Sequence, residues 1–233
     1  MALPKLNDAP SYELVIPSTQ ETISYRPFLV KEQKVLLMGL ESGEEKQVVR
    51  AVLDTIEACI KQPINVATLS TFDVEYIFTK IRSKSVGETA EISLNCQHCE
   101  EANKIVVNLD DYNIGDTIIP ETKIPLTETY TVHMKFPTYS DYIAKIGNNL
   151  SDQVYQQVIL CLDKLETEDE LISFKDETEE SIVEFIGNLS TDQFDKLMVF
   201  VNNLPQMKND IEYDCEHCKE KNKITLRGLQ DFF

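Results

Sequence analysis

Alternation of apolar and polar residues marks the predicted strands of this chain. In residues 12–28 the alternation runs on both sides of a polar turn at 17–20, which predicts an N-terminal β-hairpin. A second alternating stretch at 128–136 predicts a strand that carries His133 on its polar face. Residues 117–127 contain two prolines, so this segment forms edge strands at most.

Apolar residues at helical spacing fill much of the remaining chain. Residues 31–40 form the first such stretch, and residues 42–45 have the Ser-x-x-Glu spacing of a capping box that opens a second helix to about Lys61. A similar box at Ser190 and Gln193 opens the last helix. The further predicted helices cover residues 71–85, 138–147, 151–165, 178–188 and 190–203.

The six cysteines fall into two classes. Cys59 and Cys161 lie on apolar helical stripes, and we predict that both are buried in the core. The other four form two C-x-x-C pairs, which are Cys96 with Cys99 and Cys215 with Cys218. Their surroundings, EISLNCQHCEEANKIVV and DIEYDCEHCKEKNKITL, align without a gap at a shift of 119 residues, Asn103 matching Asn222. This internal repeat predicts a strand–turn–strand unit in two copies.

The repeat predicts a structural zinc site that takes one pair of thiolates from each copy. Zinc binds four soft ligands in tetrahedral geometry, and four cysteines leave no position open for a catalytic water. His98 and His217 are alternative ligands, but four thiolates suffice, and we expect the imidazoles to cap the turns or to face solvent. Because residues 100–214 separate the pairs, zinc binding would be coupled to folding of distant parts of the chain.

Two other uses of the cysteine pairs stay open. A thioredoxin-like redox pair follows a strand and opens a helix, whereas strand-like residues follow each pair here. Four thiolates also suit iron, an iron–sulfur cluster or another soft metal.

Composition and charge exclude several classes of function. The chain of 233 residues has 40 acidic and 22 basic residues, and its net charge of −18 argues against nucleic acid as a partner. Seven glycines without a P-loop or G-x-G-x-x-G pattern argue against a nucleotide site, and three histidines leave few bases for nucleophilic catalysis. No apolar stretch is long enough for a membrane span and the N-terminus lacks a signal-peptide core, so we expect an intracellular protein with reduced thiols.

Negative charge is concentrated in residues 163–184, which hold 10 acidic residues against Lys164 and Lys175. The simpler interpretation is a solvated loop and helix N-terminus, where carboxylates suit the helix dipole. The alternative is a docking surface for a basic patch on a partner protein.

Four strings in the N-terminal part of the chain carry a family resemblance. They are YRPFLVKE at 25–32, ESGEEK at 41–46, FDVEYIF at 72–78 and RSKSVGE at 82–88. In this order they resemble the baseplate hub assembly family of T4-type contractile-tailed bacteriophages. The resemblance implies a non-enzymatic protein of the virion tail baseplate, or of the host cytoplasm during assembly, which binds other baseplate or hub proteins as a component or as a chaperone.

Together these observations predict an α+β fold with an N-terminal β-hairpin, a mostly helical body and a split zinc ribbon of two pseudo-symmetric units. The expected segments are a hairpin at 1–30, helices at 31–87, a first zinc unit at 88–108, strands with an acidic helical insertion at 109–208, and a second zinc unit with a tail at 209–233. We expect no catalytic residues, membrane contact or small-molecule substrate. The alternative function is a zinc-ribbon adaptor of transcription or replication machinery, which would bind nucleic acid or a polymerase.

Overall fold

A computed structural model describes residues 10–114, 120–141 and 153–227. The chain divides into two units, one made of Met1–Gly115 with Gln206–Phe233 and the other of Asp116–Pro205. The first unit therefore takes its elements from both ends of the sequence, and the second unit is inserted between them. Helices and strands occur in both units, which confirms the predicted α+β class.

The strands of the described residues are β1 (Tyr12–Val15), β2 (Thr22–Tyr25), β3 (Thr89–Asn95), β4 (Ala102–Asn108), β5 (Lys123–Pro125), β6 (Thr131–Met134), β7 (Leu162–Glu166), β8 (Leu171–Ser173), β9 (Lys208–Asp214) and β10 (Lys221–Arg227). The helices are α1 (Val30–Glu41), α2 (Glu45–Cys59), α3 (Thr71–Val86), α4 (Gln153–Cys161), α5 (Glu179–Gly187) and α6 (Thr191–Asn202). β1 and β2 form the predicted N-terminal hairpin, in which Leu14 lies opposite Ile23. Both side chains are buried, as the alternation indicates.

The predicted capping box at residues 42–45 is wrong. Ser42 closes α1 instead, because its hydroxyl donates to the Gly39 carbonyl oxygen at 2.6 Å, and α2 begins without a side-chain cap. Gly43 follows with a φ of 67°, the left-handed conformation in which glycine often ends a helix. A serine between two helices can bond to either one, and the spacing of the sequence does not show which.

A buried carboxylate joins the N-terminal hairpin to α3. Asp73 is fully buried and accepts hydrogen bonds from the backbone N–H of Ser18 at 2.9 Å and from the hydroxyls of Ser18 and Ser70. Ser70 is also the N-cap of α3, where the helix dipole favours a negative group. These donors compensate for burying the carboxylate, so the turn of the hairpin is fixed to the start of this helix.

The second unit contains a four-stranded antiparallel sheet in the order β5–β6–β7–β8. The strand predicted at 128–136 is β6, and the proline-containing segment before it supplies β5 at the edge of the sheet, as expected. Side chains of the sheet and of α4, α5 and α6 share one buried core, whose members include Val132, Val158, Ile186 and Leu197.

The helix predicted for residues 151–165 extends too far toward its C-terminal end. α4 ends at Cys161, and the next residues form β7, which pairs with β6 so that Leu165 lies opposite Val132. Leucines at positions 162 and 165 fit a helical stripe as well as a strand, and the neighbouring strand decides between the two. Tertiary pairing thus overrides the local helical spacing.

The later helices of this unit agree better with the sequence pattern. α5 and α6 match their predicted bounds to within one residue at each end, and Ser190 and Gln193 form the predicted capping box. Of the helix predicted at 138–147, residues 139–141 are helical and the rest lies outside the described residues.

Two matching hairpins in the first unit carry the cysteine pairs. β3 pairs with β4 and β9 pairs with β10, and the bounds of the second hairpin are those of the first shifted by 119 residues. The register matches as well, since Ile92 lies opposite Ile105 and Ile211 lies opposite Ile224. Both hairpins contribute to one buried cluster, whose members include Ala90, Val107, Met207, Ile211 and Leu226.

The other two cysteines are core residues. Cys59 and Cys161 are each 1% exposed, which confirms the prediction that both are buried. Burial raises the pKa of Cys59 to about 11 and that of Cys161 to about 12. Both therefore remain neutral thiols near neutral pH.

Gly39 allows α1 and α2 to approach each other closely. A Cβ atom at this position would lie 2.8 Å from the Cβ of Ala51 and 3.2 Å from the carbonyl oxygen of Gln47. We therefore expect Gly39→Ala to lower the free energy of unfolding by about 1–3 kcal/mol, the usual cost of overpacking, in urea denaturation.

Two control variants separate this clash from the effect of alanine itself. Gly187 ends α5 with nothing within 4 Å of a Cβ position, so Gly187→Ala should leave the stability unchanged or raise it slightly. Adding Ala51→Gly to Gly39→Ala removes the clashing Cβ atom and should restore part of the lost stability. Equal stability of Gly39→Ala and the wild type would contradict this helix packing.

Candidate metal centre

The first cysteine pair lies in the tight turn between β3 and β4. The Cys96 N–H donates to the Glu101 carbonyl oxygen at 2.9 Å, and the Glu100 N–H donates to the Cys96 carbonyl oxygen at 3.0 Å. The His98 N–H points back to the Cys96 sulfur at 3.4 Å. Glu100 has a φ of 62°, which allows the chain to leave the turn and enter the second strand. The turn thus directs backbone N–H groups toward the first sulfur.

The second cysteine pair repeats this geometry between β9 and β10. The Cys215 N–H donates to the Glu220 carbonyl oxygen at 2.9 Å, and the Lys219 N–H donates to the Cys215 carbonyl oxygen at 3.0 Å. The His217 N–H lies 3.4 Å from the Cys215 sulfur, and Lys219 has a φ of 64°. The sequence repeat is therefore a repeat of backbone structure as well.

The structure brings all four predicted ligand sulfurs together. The sulfurs of the set lie within 4.8 Å of one another, and the residues are Cys96, Cys99, Cys215 and Cys218. The Cys96 Sγ–Cys218 Sγ distance is 3.6 Å and the Cys99 Sγ–Cys215 Sγ distance is 3.7 Å. Sulfurs at about 2.3 Å from a tetrahedral zinc are separated by about 3.8 Å, whereas a disulfide bond measures about 2.05 Å. The arrangement fits a four-thiolate metal site and not a pair of disulfides.

The two histidines within the pairs are not part of the group of possible metal ligands. His98 and His217 have exposed side chains, and the cluster of possible ligand atoms consists of the four sulfurs. His98 Nε2 lies 3.3 Å from the Lys221 carbonyl oxygen, so the imidazole contacts the opposite hairpin. These positions agree with the expectation that the histidines cap the turns or face solvent.

Two asparagines contact the sulfur cluster, and sequence reasoning assigned them no role. Asn222 Oδ1 accepts from the Gln97 N–H at 2.8 Å, and Asn103 Oδ1 accepts from the Glu216 N–H at 2.8 Å. Each asparagine therefore bonds to the turn of the opposite hairpin. Their identical position in the two repeat copies is the signal in the sequence that could have identified them.

Hydrogen bonds lower the pKa of the first cysteine of each pair. Burial raises the pKa of Cys96, but the N–H groups of His98 and Cys99 and the amide of Asn222 outweigh it, and the pKa falls to about 6. At Cys215, hydrogen bonds from the N–H groups of the same turn lower the pKa more than burial raises it.

The pKa of the second cysteine of each pair is raised instead. A hydrogen bond from the Glu101 N–H lowers the pKa of Cys99, but burial and the neighbouring thiols raise it to about 12. A hydrogen bond from the Glu220 N–H lowers the pKa of Cys218, but burial and the sulfurs of Cys96 and Cys215 raise it above its usual value. A cation among the sulfurs would reverse the balance, because metal binding releases the thiol protons.

The four cysteines could hold a metal ion. In each turn a backbone N–H lies 3.4 Å from the first sulfur, and four sulfurs would suffice for a tetrahedral coordination shell. Among the residues that the structure describes, no helix is long and apolar enough to cross a membrane.

Comparison with known proteins places both units within one family. The family model described as T4 bacteriophage base plate protein matches residues 9–233, a range that contains both cysteine hairpins and the inserted unit. No curated protein and no solved structure matches the chain. The match confirms the resemblance carried by the N-terminal strings. The chain belongs to the T4 bacteriophage base plate protein family.

Proposed function

We propose that this chain is a non-enzymatic protein of the phage tail baseplate hub, either a component or an assembly chaperone, which folds around a structural zinc. The observation that carries the proposal is the family match over residues 9–233. Its proposed partners are other baseplate or hub proteins, and its proposed locations are the virion tail and, during assembly, the host cytoplasm.

The geometry of the sulfurs supports zinc in a structural role. Four thiolates complete a tetrahedral shell and leave no coordination position for a water or a substrate. We propose that the segments 88–108 and 209–233 form the two halves of one split zinc ribbon, related by a pseudo-twofold axis. The reciprocal contacts of Asn103 and Asn222 support that symmetry.

A metal at this site would join distant parts of the chain. Cys96 and Cys218 are 122 residues apart in sequence, and the whole second unit lies between them. By analogy with a disulfide, closing a loop of this length removes unfolded-state entropy worth about 4–5 kcal/mol. Zinc would therefore stabilise the first unit by holding its C-terminal hairpin to its N-terminal part.

Helix α1 offers a surface for another baseplate protein. Five large apolar side chains of this one helix are exposed, and they are Val30, Val35, Leu37, Met38 and Leu40. Val30 is 79% exposed and Met38 is 60% exposed. A concentration of exposed apolar side chains is typical of interaction sites. Since each copy of the chain carries a net charge of −18, we propose that a different protein and not a second copy covers α1.

The acidic segment 163–184 supplies a second candidate surface. It covers β7, β8 and the start of α5, where Glu179 and Glu180 lie in the first helical turn and suit the helix dipole. Carboxylates that face solvent along this segment could attract a basic patch on a partner. Substitutions in α1 and in the acidic segment show which of the two surfaces binds the partner.

Zinc content tests the metal part of the proposal. Protein purified without chelator should contain one zinc per chain, measured by mass spectrometry of metals. Combining Cys96→Ser with Cys215→Ser removes one thiolate from each hairpin and should abolish zinc binding and lower the unfolding temperature. His217→Ala, which changes an exposed residue outside the sulfur cluster, is the matched control and should retain the metal. Iron in place of zinc, or no metal in the wild type, would contradict the zinc assignment.

Binding to baseplate proteins tests the partner. In phage-infected cells the tagged chain should recover identified baseplate proteins, and Leu37→Glu with Met38→Glu should reduce that recovery at least about tenfold, because burying two carboxylates at an interface is costly. Val106→Glu, at another exposed apolar residue, is the control and should recover the wild-type amount.

The same experiment separates the alternatives. Loss of recovery on neutralising Glu168 and Glu170, with the α1 variant unaffected, would place the interface on the acidic segment. Mature virions show whether the chain stays in the particle or acts only during assembly. Absence from virions together with no recovered baseplate protein would contradict the proposed function, and recovery of a polymerase would favour the adaptor hypothesis.

A further inference from the structure

Two buried amide side chains connect the cysteine hairpins. Asn103 is 1% exposed and Asn222 is 2% exposed, and each lies four residues after the second cysteine of its own pair. The hairpins are separate two-stranded sheets, so no strand pairing joins them in the described part of the chain. The contacts of these two side chains are therefore a direct link between the turns that carry the sulfurs.

We propose that Asn103 and Asn222 are a reciprocal pair of positioning residues that assemble the four-cysteine site before the metal binds, an inference that rests on the proposed metal function. Each amide holds two turns at once. The Asn222 amide donates to the Glu220 carbonyl oxygen of its own turn at 3.0 Å and to the Cys96 sulfur of the opposite turn at 3.4 Å. Its oxygen accepts from the Gln97 N–H at 2.8 Å.

Asn103 makes the corresponding contacts in the other direction. Its amide donates to the Glu101 carbonyl oxygen of its own turn at 2.9 Å, and its oxygen accepts from the Glu216 N–H of the opposite turn at 2.8 Å. The role requires a donor and an acceptor in one short side chain, which an amide has and a carboxylate lacks.

The assembly needs such a link because no strand pairing joins the two hairpins in the described part of the chain. Other hydrogen bonds between the hairpins are exposed, including Gln97 Nε2 to the Lys223 carbonyl oxygen at 3.2 Å and the Tyr213 hydroxyl to the Asn95 carbonyl oxygen at 3.2 Å. Water competes with exposed hydrogen bonds, whereas leaving a buried donor or acceptor without its partner is costly. The buried amides therefore hold the turns more firmly than these surface contacts.

Hydrogen exchange of the metal-stripped protein tests the link itself. The Gln97 and Glu216 N–H groups should exchange slowly in the wild type, read in separate peptides by mass spectrometry. Asn222→Ala should remove protection at Gln97 and leave Glu216 protected, and Asn103→Ala should do the reverse. The control Gln97→Ala removes only the exposed side-chain contact and should leave both backbone N–H groups protected. No protection in the stripped wild type, or unchanged protection in both asparagine variants, would overturn the proposal.

Titration with Co²⁺ tests the effect on the metal. Tetrahedral Co²⁺ bound to four thiolates absorbs visible light, and each asparagine variant should bind Co²⁺ about tenfold more weakly than the wild type, as is usual for groups that orient metal ligands. Gln97→Ala should bind almost as the wild type does. Where an alanine variant fails to fold, Asn103→Asp or Asn222→Asp keeps the acceptor, loses the donor and should still weaken binding.

The two experiments distinguish the two proposals. Asparagine variants that unfold more readily but bind Co²⁺ as tightly as Gln97→Ala would show a purely structural role and overturn the positioning role. A wild type that binds neither Co²⁺ nor Zn²⁺ would instead refute the metal function. In that event the protection of the Gln97 and Glu216 N–H groups in the two asparagine variants would still show whether the amides hold the turns.

Discussion

The structure of the first unit depends on bringing together two hairpins that are far apart in the sequence. Isolated two-stranded hairpins are marginally stable in water, and here β3–β4 and β9–β10 are not joined into one sheet. Their stability comes instead from a shared apolar cluster on one side and from the contacts between the cysteine turns on the other. The second unit can be inserted between the hairpins because the contacts at their turns hold the two ends together.

The two cysteine turns have the same backbone geometry, but their four cysteines differ in exposure to solvent. Both place a charged residue at a positive φ directly after the second cysteine, and both direct an N–H toward the first sulfur. Cys96 and Cys215 are buried, whereas Cys99 is partly exposed and Cys218 is exposed. The second cysteine of each pair is therefore the one that solvent reaches more easily.

Local sequence patterns predicted what depends on local structure, and they failed where distant parts of the chain compete. The N-terminal hairpin, α6 with its capping box and the two cysteine turns follow from alternation, capping chemistry and an ungapped repeat. Leu162 and Leu165 joined a strand because β6, about 30 residues earlier in the chain, offered them a partner. The Ser42 error has a local cause, since its hydroxyl bonds to the carbonyl oxygen of Gly39 in the preceding helix. Asn103 and Asn222 were visible as repeated residues, yet their partners lie on the other copy, and only the three-dimensional structure shows that crossing.

The exposed apolar side chains of α1 and the high negative charge of the chain are compatible with binding to other proteins. An exposed apolar face such as that of α1 favours association with any apolar surface, including that of a second copy. A net charge of −18 on each copy opposes self-association over distances of about 10 Å at moderate salt, while it still permits a less acidic partner to approach. A unit that leaves apolar side chains uncovered also buries less surface on folding, and a metal that links its two ends would offset that loss. Metal binding and partner binding would therefore be connected through stability, because a metal held by the four cysteines would allow the surface of α1 to remain available for another protein.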